Sequence, residues 1–128
     1  MRLVAVALAC SAVAGNACAK DFTMSARSGQ PTQMHVYKSF SADCESKRGI
    51  VKVASRPAHG TLTPSEVQTR IGPSRYKPEL TAKCVGLPTN GFRVDYRSEP
   101  GFRGTDQFVI EYDYGHGLDV DHYTVNVR

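Results

Sequence analysis

From Gln107 to Tyr114 the side chains alternate, with Phe108, Ile110, Tyr112 and Tyr114 on one side of the chain and Gln107, Glu111 and Asp113 on the other. Successive side chains of an extended strand point to opposite faces, so this order makes one oily and one wet surface only in a strand. The same beat returns in short segments bounded by Gly, Pro, Asn or Asp. Val51 and Val53 flank Lys52, Phe92, Val94 and Tyr96 alternate with Arg93, Asp95 and Arg97, and Tyr123, Val125 and Val127 alternate with His122, Thr124 and Asn126. Met34, Val36 and Phe40 predict a strand near 33–41, with His35, Tyr37 and Ser39 outward. No stretch carries a 3.6-residue apolar period long enough for a helix. The expected fold is therefore all-β, an Ig-like antiparallel β-sandwich of about seven strands.

Between these segments the signals are mixed. Residues 20–31 are polar and predict a loose lead-in or a short edge strand. Pro57-Ala58-His59-Gly60 predicts a turn before extended chain at 60–63. Prolines 64, 73 and 78 interrupt every candidate run over 64–80, where an edge strand near 74–77 is expected. Strands over 81–85 and 92–97 would be joined by a hairpin loop at Leu87-Pro88-Thr89-Asn90-Gly91.

Residues 1–19 read as an export signal: Arg2, an apolar run over 3–14, and the small-residue site Ala17-Cys18-Ala19. The run is shorter than the roughly 20 residues of a bilayer span. Cleavage after Ala19, export to the periplasm or beyond, and no membrane span are the expectations; for a lipoprotein reading Cys10 lies too early, and Cys18 follows Ala14-Gly15-Asn16-Ala17 without the usual leucine. Residues 20–128 then form one domain of 109 residues. Cys44 and Cys84 remain, an even count in an oxidising compartment, and are expected to form a disulfide. Closing a loop of that length stabilises by roughly 4 kcal/mol in the chain-entropy model.

Of the 16 Lys and Arg only Arg2 lies in the leader, so 15 face 12 Asp and Glu, a mild excess of +3. Nucleic-acid binders concentrate a stronger basic stripe beside a recognisable motif, and neither is present.

Two segments, Arg56-Pro57-Ala58-His59-Gly60-Thr61-Leu62-Thr63 and Gly101-Phe102-Arg103-Gly104-Thr105-Asp106-Gln107-Phe108, resemble the PxHGTL and GFxGTDxF signatures of bacterial Ig-like and cadherin-like repeat domains. The resemblance covers about residues 50–63 and 92–128 and implies a sandwich scaffold shared by binding modules of many targets. It departs from the family in being a single unit without an internal repeat, with Tyr112-Asp113-Tyr114-Gly115-His116-Gly117 where an acidic calcium-binding turn would stand. Independently of the family, Asp106 is suited to accept hydrogen bonds from turn amides, and Phe102 to cover one end of the core.

Asp113, His116, Asp119, Asp121 and His122 are the densest set of candidate metal ligands, but their spacing fits no established metal loop and adjacent strand residues face opposite ways. No serine sits in a nucleophile setting, and neither an enzyme nor a cofactor is expected. Arg93 and Arg97 on one strand face, with Arg103 in the following turn and Arg75 and Lys77 as further members, form a candidate binding patch for an acidic glycan, lipid headgroup or protein. The expected function is a monomeric, non-catalytic binding module, using this face or the loops at one sandwich end, for a protein or glycan partner. The alternative is a structural subunit that pairs through an edge strand.

Overall fold

A computed structural model describes residues 17–74, 78–115 and 117–128. Eight strands are present among them: β1 (Ala17–Ala26), β2 (Thr32–Phe40), β3 (Ser46–Lys47), β4 (Ile50–Ser55), β5 (Gly60–Arg70), β6 (Pro88–Ser98), β7 (Gly104–Asp113) and β8 (Leu118–Val127). They form two four-stranded sheets, in the orders β1-β8-β7-β4 and β3-β2-β6-β5. β1 runs parallel to β8 and the other pairs are antiparallel. The protein is an all-β sandwich, and Cys44 and Cys84 are bonded, with Cα atoms 5.2 Å apart. No helix among the described residues is long and apolar enough to cross a membrane.

The alternation read from β4, β6, β7 and β8 places their apolar residues inward: Val94, Tyr96, Phe108, Ile110, Tyr123 and Val125 are each at most 2 % exposed. The sequence has no Trp, and aromatic rings span the core instead. Tyr96 stacks on Phe108 at 5.9 Å, Phe108 on Tyr123 at 4.7 Å, and Tyr123 on Phe22 at 5.1 Å. Offset stacking of this kind adds to the burial energy of each ring. It also brings tyrosine hydroxyls inside, and each needs a partner.

Four expectations are corrected. In β2 the register shifts between Gln33 and His35, so Met34 is an extra, buried residue and the beat inverts after it. Tyr37 therefore points into the core at 3 % exposure and Val36 faces away with Arg93, the reverse of a strict two-residue reading. Pro64 does not interrupt its strand, because β5 lies at a sheet edge, where a missing N–H leaves no second neighbour unpaired. Residues 81–85 are not a strand: α1 (Pro78–Thr81) runs into a 3₁₀ turn (Ala82–Cys84). Asn90-Gly91 is not a turn but lies within β6, where Gly91 pairs with Lys38 and a Cβ would stand 2.9 Å from the Tyr37 carbonyl oxygen. Its lack of a side chain serves close strand approach. In addition, β1 is a full ten-residue edge strand, and Ser74 belongs to no strand; the remainder of the expected edge strand, including Arg75 and Lys77, lies outside the described residues, as do residues 1–16 of the expected leader.

One end of the sandwich gathers the β1–β2, β4–β5 and β6–β7 turns. There Asp106, 3 % exposed, accepts four hydrogen bonds: Ala58 N–H at 2.9 Å and Gln107 N–H at 3.0 Å to Oδ1, His59 N–H at 3.1 Å and the Tyr96 hydroxyl at 2.8 Å to Oδ2. Gly60 lies under the Tyr96 ring, where a Cβ would stand 2.6 Å from a ring carbon. His59 stacks on Phe102 at 4.2 Å, and its carbonyl accepts the Glu99 N–H at 2.9 Å. The β4–β5 turn and Tyr96 of the facing sheet are thus fixed to one carboxylate of β7.

Hydrogen bonds to charged groups are worth about 1.5–3 kcal/mol each and are not additive. Asp106→Ala is expected to lower stability in urea denaturation by about 3 kcal/mol or more, against about 1–2 kcal/mol for Tyr96→Phe, which removes one donor. Equal losses for the two variants would contradict the shared clamp.

Candidate functional site

The opposite end gathers the 41–49 connection and the described parts of the 71–87 excursion and of the β7–β8 turn, with the disulfide between the first two. A second buried carboxylate sits beneath it. β8 turns Asp119, Asp121 and Tyr123 toward the interior, and Asp121 is 2 % exposed. The Tyr37 hydroxyl donates to Asp121 Oδ2 at 2.8 Å and lies 2.8 Å from the Tyr123 hydroxyl. An ionised Asp121 only accepts, so Tyr37 commits its one proton to the carboxylate and Tyr123 donates to Tyr37.

Asp121 differs from Asp106 in one respect: its Oδ1 is buried with no hydrogen-bond partner. Burial raises the Asp121 carboxyl above its ordinary 3.8, opposed by the Tyr37 hydrogen bond and by the charges of Lys20 and His35, while Asp119 adds to the rise. Lys20, 6 % exposed, pairs with Asp119 at 3.8 Å. Burial likewise pushes Tyr37 and Tyr123 up, and Tyr112 up to about 12 with the help of the Asp119 charge, so all three hydroxyls stay protonated at neutral pH.

Two open recesses meet at this cluster. One, of about 520 Å³, is lined by Lys20, His35, Tyr37, Tyr112, Asp119 and Asp121 among others. The second, of about 400 Å³, shares Tyr37 and Tyr112, has Phe92 in its wall, and carries the exposed Arg48–Glu66 pair at 3.5 Å. Gly49 leaves room there for the Tyr112 ring, which a Cβ would strike. The arrangement supplies a desolvated acceptor in a tyrosine-walled recess. Such a group holds a hydrogen-bond donor strongly, because the alternative is an unsatisfied buried oxygen.

The sequence-derived candidates fall into different places. Arg93 and Arg97 share the outer face of β6 as expected, but Arg93 is held by Asp95 at 2.9 Å and Arg97 Nε donates to the Gly29 carbonyl at 2.8 Å. Arg103 stands at the end of the sandwich, lining a groove with Arg27 and Arg128 rather than joining Arg93. Asp113 Oδ1 accepts the Gly115 N–H at 2.8 Å and shapes the β7–β8 turn. Asp119 points inward and His122 outward on β8, so they do not converge, and His116 lies outside the described residues. Among the described residues no group of three or more His, Cys, Asp or Glu is placed to hold a metal. Tyr37 was not legible as a site residue because the bulge reverses its direction; Lys20 carried no signal beyond a charged residue at an expected chain start.

The folded-state carboxyl of Asp121 sits above the unfolded value of 3.8, so the folded form binds the proton more tightly. Its contribution to stability is fully present below 3.8 and is lost as pH rises through the folded-state pKa. Asp121→Asn, which removes the charge but keeps a polar group in the same place, is therefore expected to raise stability at neutral pH by about 1.4 kcal/mol for each unit by which the folded-state pKa is raised, with little gain at acid pH. Melting curves at both pH values check this, and a loss of stability at neutral pH would contradict it.

No family model matches the chain, and no curated protein matches it. Among solved structures it is similar to amebosin, in a solution structure, at 10% identity over 90% of this chain and 100% of that one, with a TM-score of 0.45. It is also similar to PbICP-C, solved in complex with falcipain-2, at 12% identity over 93% of this chain and 96% of that one, with a TM-score of 0.42.

Proposed function

We propose that this domain is an exported, non-catalytic binding module that engages a protein partner through its disulfide-bearing end. One observation carries the reading. The large apolar side chains exposed among the described residues, Ile50 at 67%, Leu80 at 58%, Val85 at 48% and Leu87 at 44%, all stand at that end. Large apolar side chains left exposed at one end of a small domain are candidates for an interaction site. Three of the four ride on the 71–87 excursion, which Cys84 ties to Cys44.

Local strain supports the same end. Cys44 holds a left-handed φ of 65°, a conformation that costs a non-glycine residue about 1–2 kcal/mol. Such residues persist where the surroundings over-determine them, and they cluster at binding and switch regions. The disulfide is compatible with export, and the expected leader gives the route. The non-catalytic reading is supported by the use of the polar groups: His59 stacks on Phe102, His35 packs against Phe22 and Tyr37, and Ser98 accepts the Gly29 N–H. The edge-strand alternative has less behind it at two of the longer edges, since β5 carries Pro64 and β4 shifts register between Val53 and Ser55, both devices that discourage strand addition, and rests on β1, which carries neither.

Substituting exposed apolar residues by serine changes stability little, whereas anchors of an interface each contribute about 2 kcal/mol or more to binding. A chain carrying I50S, L80S, V85S and L87S is expected to keep its melting temperature and to lose, by at least about 100-fold, affinity for the partner that the wild type retains from its envelope fraction. Unchanged capture by that variant would refute the proposal.

A further inference from the structure

The turns around the Asp106 clamp carry a charge distribution that the protein-binding end lacks. Arg27, Arg56, Arg97, Arg103 and Arg128 lie on the strand ends and turns there, against Glu99 and the buried Asp106. The remaining ten Lys and Arg after residue 19 face ten Asp and Glu. The whole net side-chain charge of +3 in residues 20–128 therefore resides at this end. All five cations are Arg, and no Lys is among them.

Three of these arginines, Arg27, Arg103 and Arg128, line one groove of about 930 Å³ with Ser28 and Gln30. All three are exposed, and among the described residues none is in an ion pair. The backbone at Arg128 and beside Arg27 is fixed: Arg128 N–H donates to the Ala26 carbonyl at 2.9 Å and Ser28 N–H to the Arg128 carbonyl at 2.9 Å. Arg97 Nε locks the Gly29 carbonyl at 2.8 Å, and the Gly29 N–H is held by Ser98 Oγ at 2.9 Å. The turn that presents the guanidinium groups is thus built before any ligand arrives.

We propose that this groove binds an acidic polysaccharide through sulfate or phosphate groups on successive sugar units. The forked, always-charged guanidinium matches tetrahedral oxyanions with paired hydrogen bonds. Several arginines set side by side along one shallow, open groove fit a chain bearing repeated anions. A membrane surface fits less well, because its binding draws on apolar insertion, while the large exposed apolar residues lie at the far end of the sandwich. The groove is separate from the proposed protein-binding end, so the two readings stand or fall independently.

The test is binding of the mature protein to dextran sulfate, with neutral dextran and phosphatidylglycerol vesicles in parallel, at about 0.15 M salt. Wild type is expected to bind dextran sulfate, to ignore dextran, and to lose affinity steeply as salt rises through counterion release. R27Q/R103Q/R128Q is expected to bind at least about tenfold more weakly at an unchanged melting temperature, and K47Q/K52Q/K83Q, with the same change in net charge on exposed positions elsewhere, to shift affinity by less than about twofold. Equal losses in the two triple variants would show unspecific charge attraction and overturn the site. Vesicle binding as tight as that to dextran sulfate, or no binding to dextran sulfate, would overturn the polysaccharide as ligand.

Discussion

One buried carboxylate, that of Asp106, holds the two sheets in register at one end of this sandwich. Its two oxygens take four donors from three separate chain segments: the β4–β5 turn, β6 and its own strand. The arrangement follows from a core built of tyrosine in place of tryptophan. A buried tyrosine contributes a large ring, and it also carries a hydroxyl that must be satisfied. Asp106 answers that need for Tyr96, and in doing so it anchors the turn on which Gly60 lies flat beneath the ring. With Asp106 saturated, this end of the molecule is rigid and can display charged side chains without reorganising.

The other buried carboxylate repeats the chemistry without completing it. Asp121 takes the Tyr37 hydroxyl on one oxygen and leaves the second unpartnered, desolvated and next to an open recess. Two similar tyrosine–aspartate pairs in one small core thus serve opposite purposes. One is closed and structural; the other costs stability at neutral pH and lies at the end where exposed apolar residues and the left-handed Cys44 also gather. The two ends of the domain thus differ, one basic with its buried carboxylate saturated, the other carrying an unpartnered buried oxygen and exposed apolar side chains.

Much of the fold was legible in the residues, and the reasons are physical. β4, β7 and β8 have one clean apolar face each, so a two-residue beat located them and oriented their side chains. β2 has the same composition but carries an extra residue at Met34, and no local signal marks a bulge whose cause is pairing with β6. Asn90-Gly91 has the chemistry of a hairpin turn, yet Gly91 is there to let two backbones approach. Residues 78–84 turn helically because prolines bar a strand and the disulfide fixes where the excursion ends, a tertiary constraint that periodicity does not carry.

The sites were legible only in part. The hydrogen-bonding role of Asp106 could be argued from its turn, although its partners Ala58 and His59 lie 47 or more positions away. Asp121 stood out merely as one of several acidic residues, because its isolation is a property of what packs over it. Arg103 was singled out, but with Arg93, whose charge Asp95 engages; its real neighbours Arg27 and Arg128 sit at opposite ends of the described chain. Native-state hydrogen exchange of the Ala58 and His59 amides tests the anchoring most directly. If Asp106 holds the two sheets together, both amides exchange only through global unfolding, with the same free energy as the β6 and β7 amides around Tyr96 and Phe108. Exchange of Ala58 and His59 at the rate of an open loop, while those core strands remain protected, would contradict it.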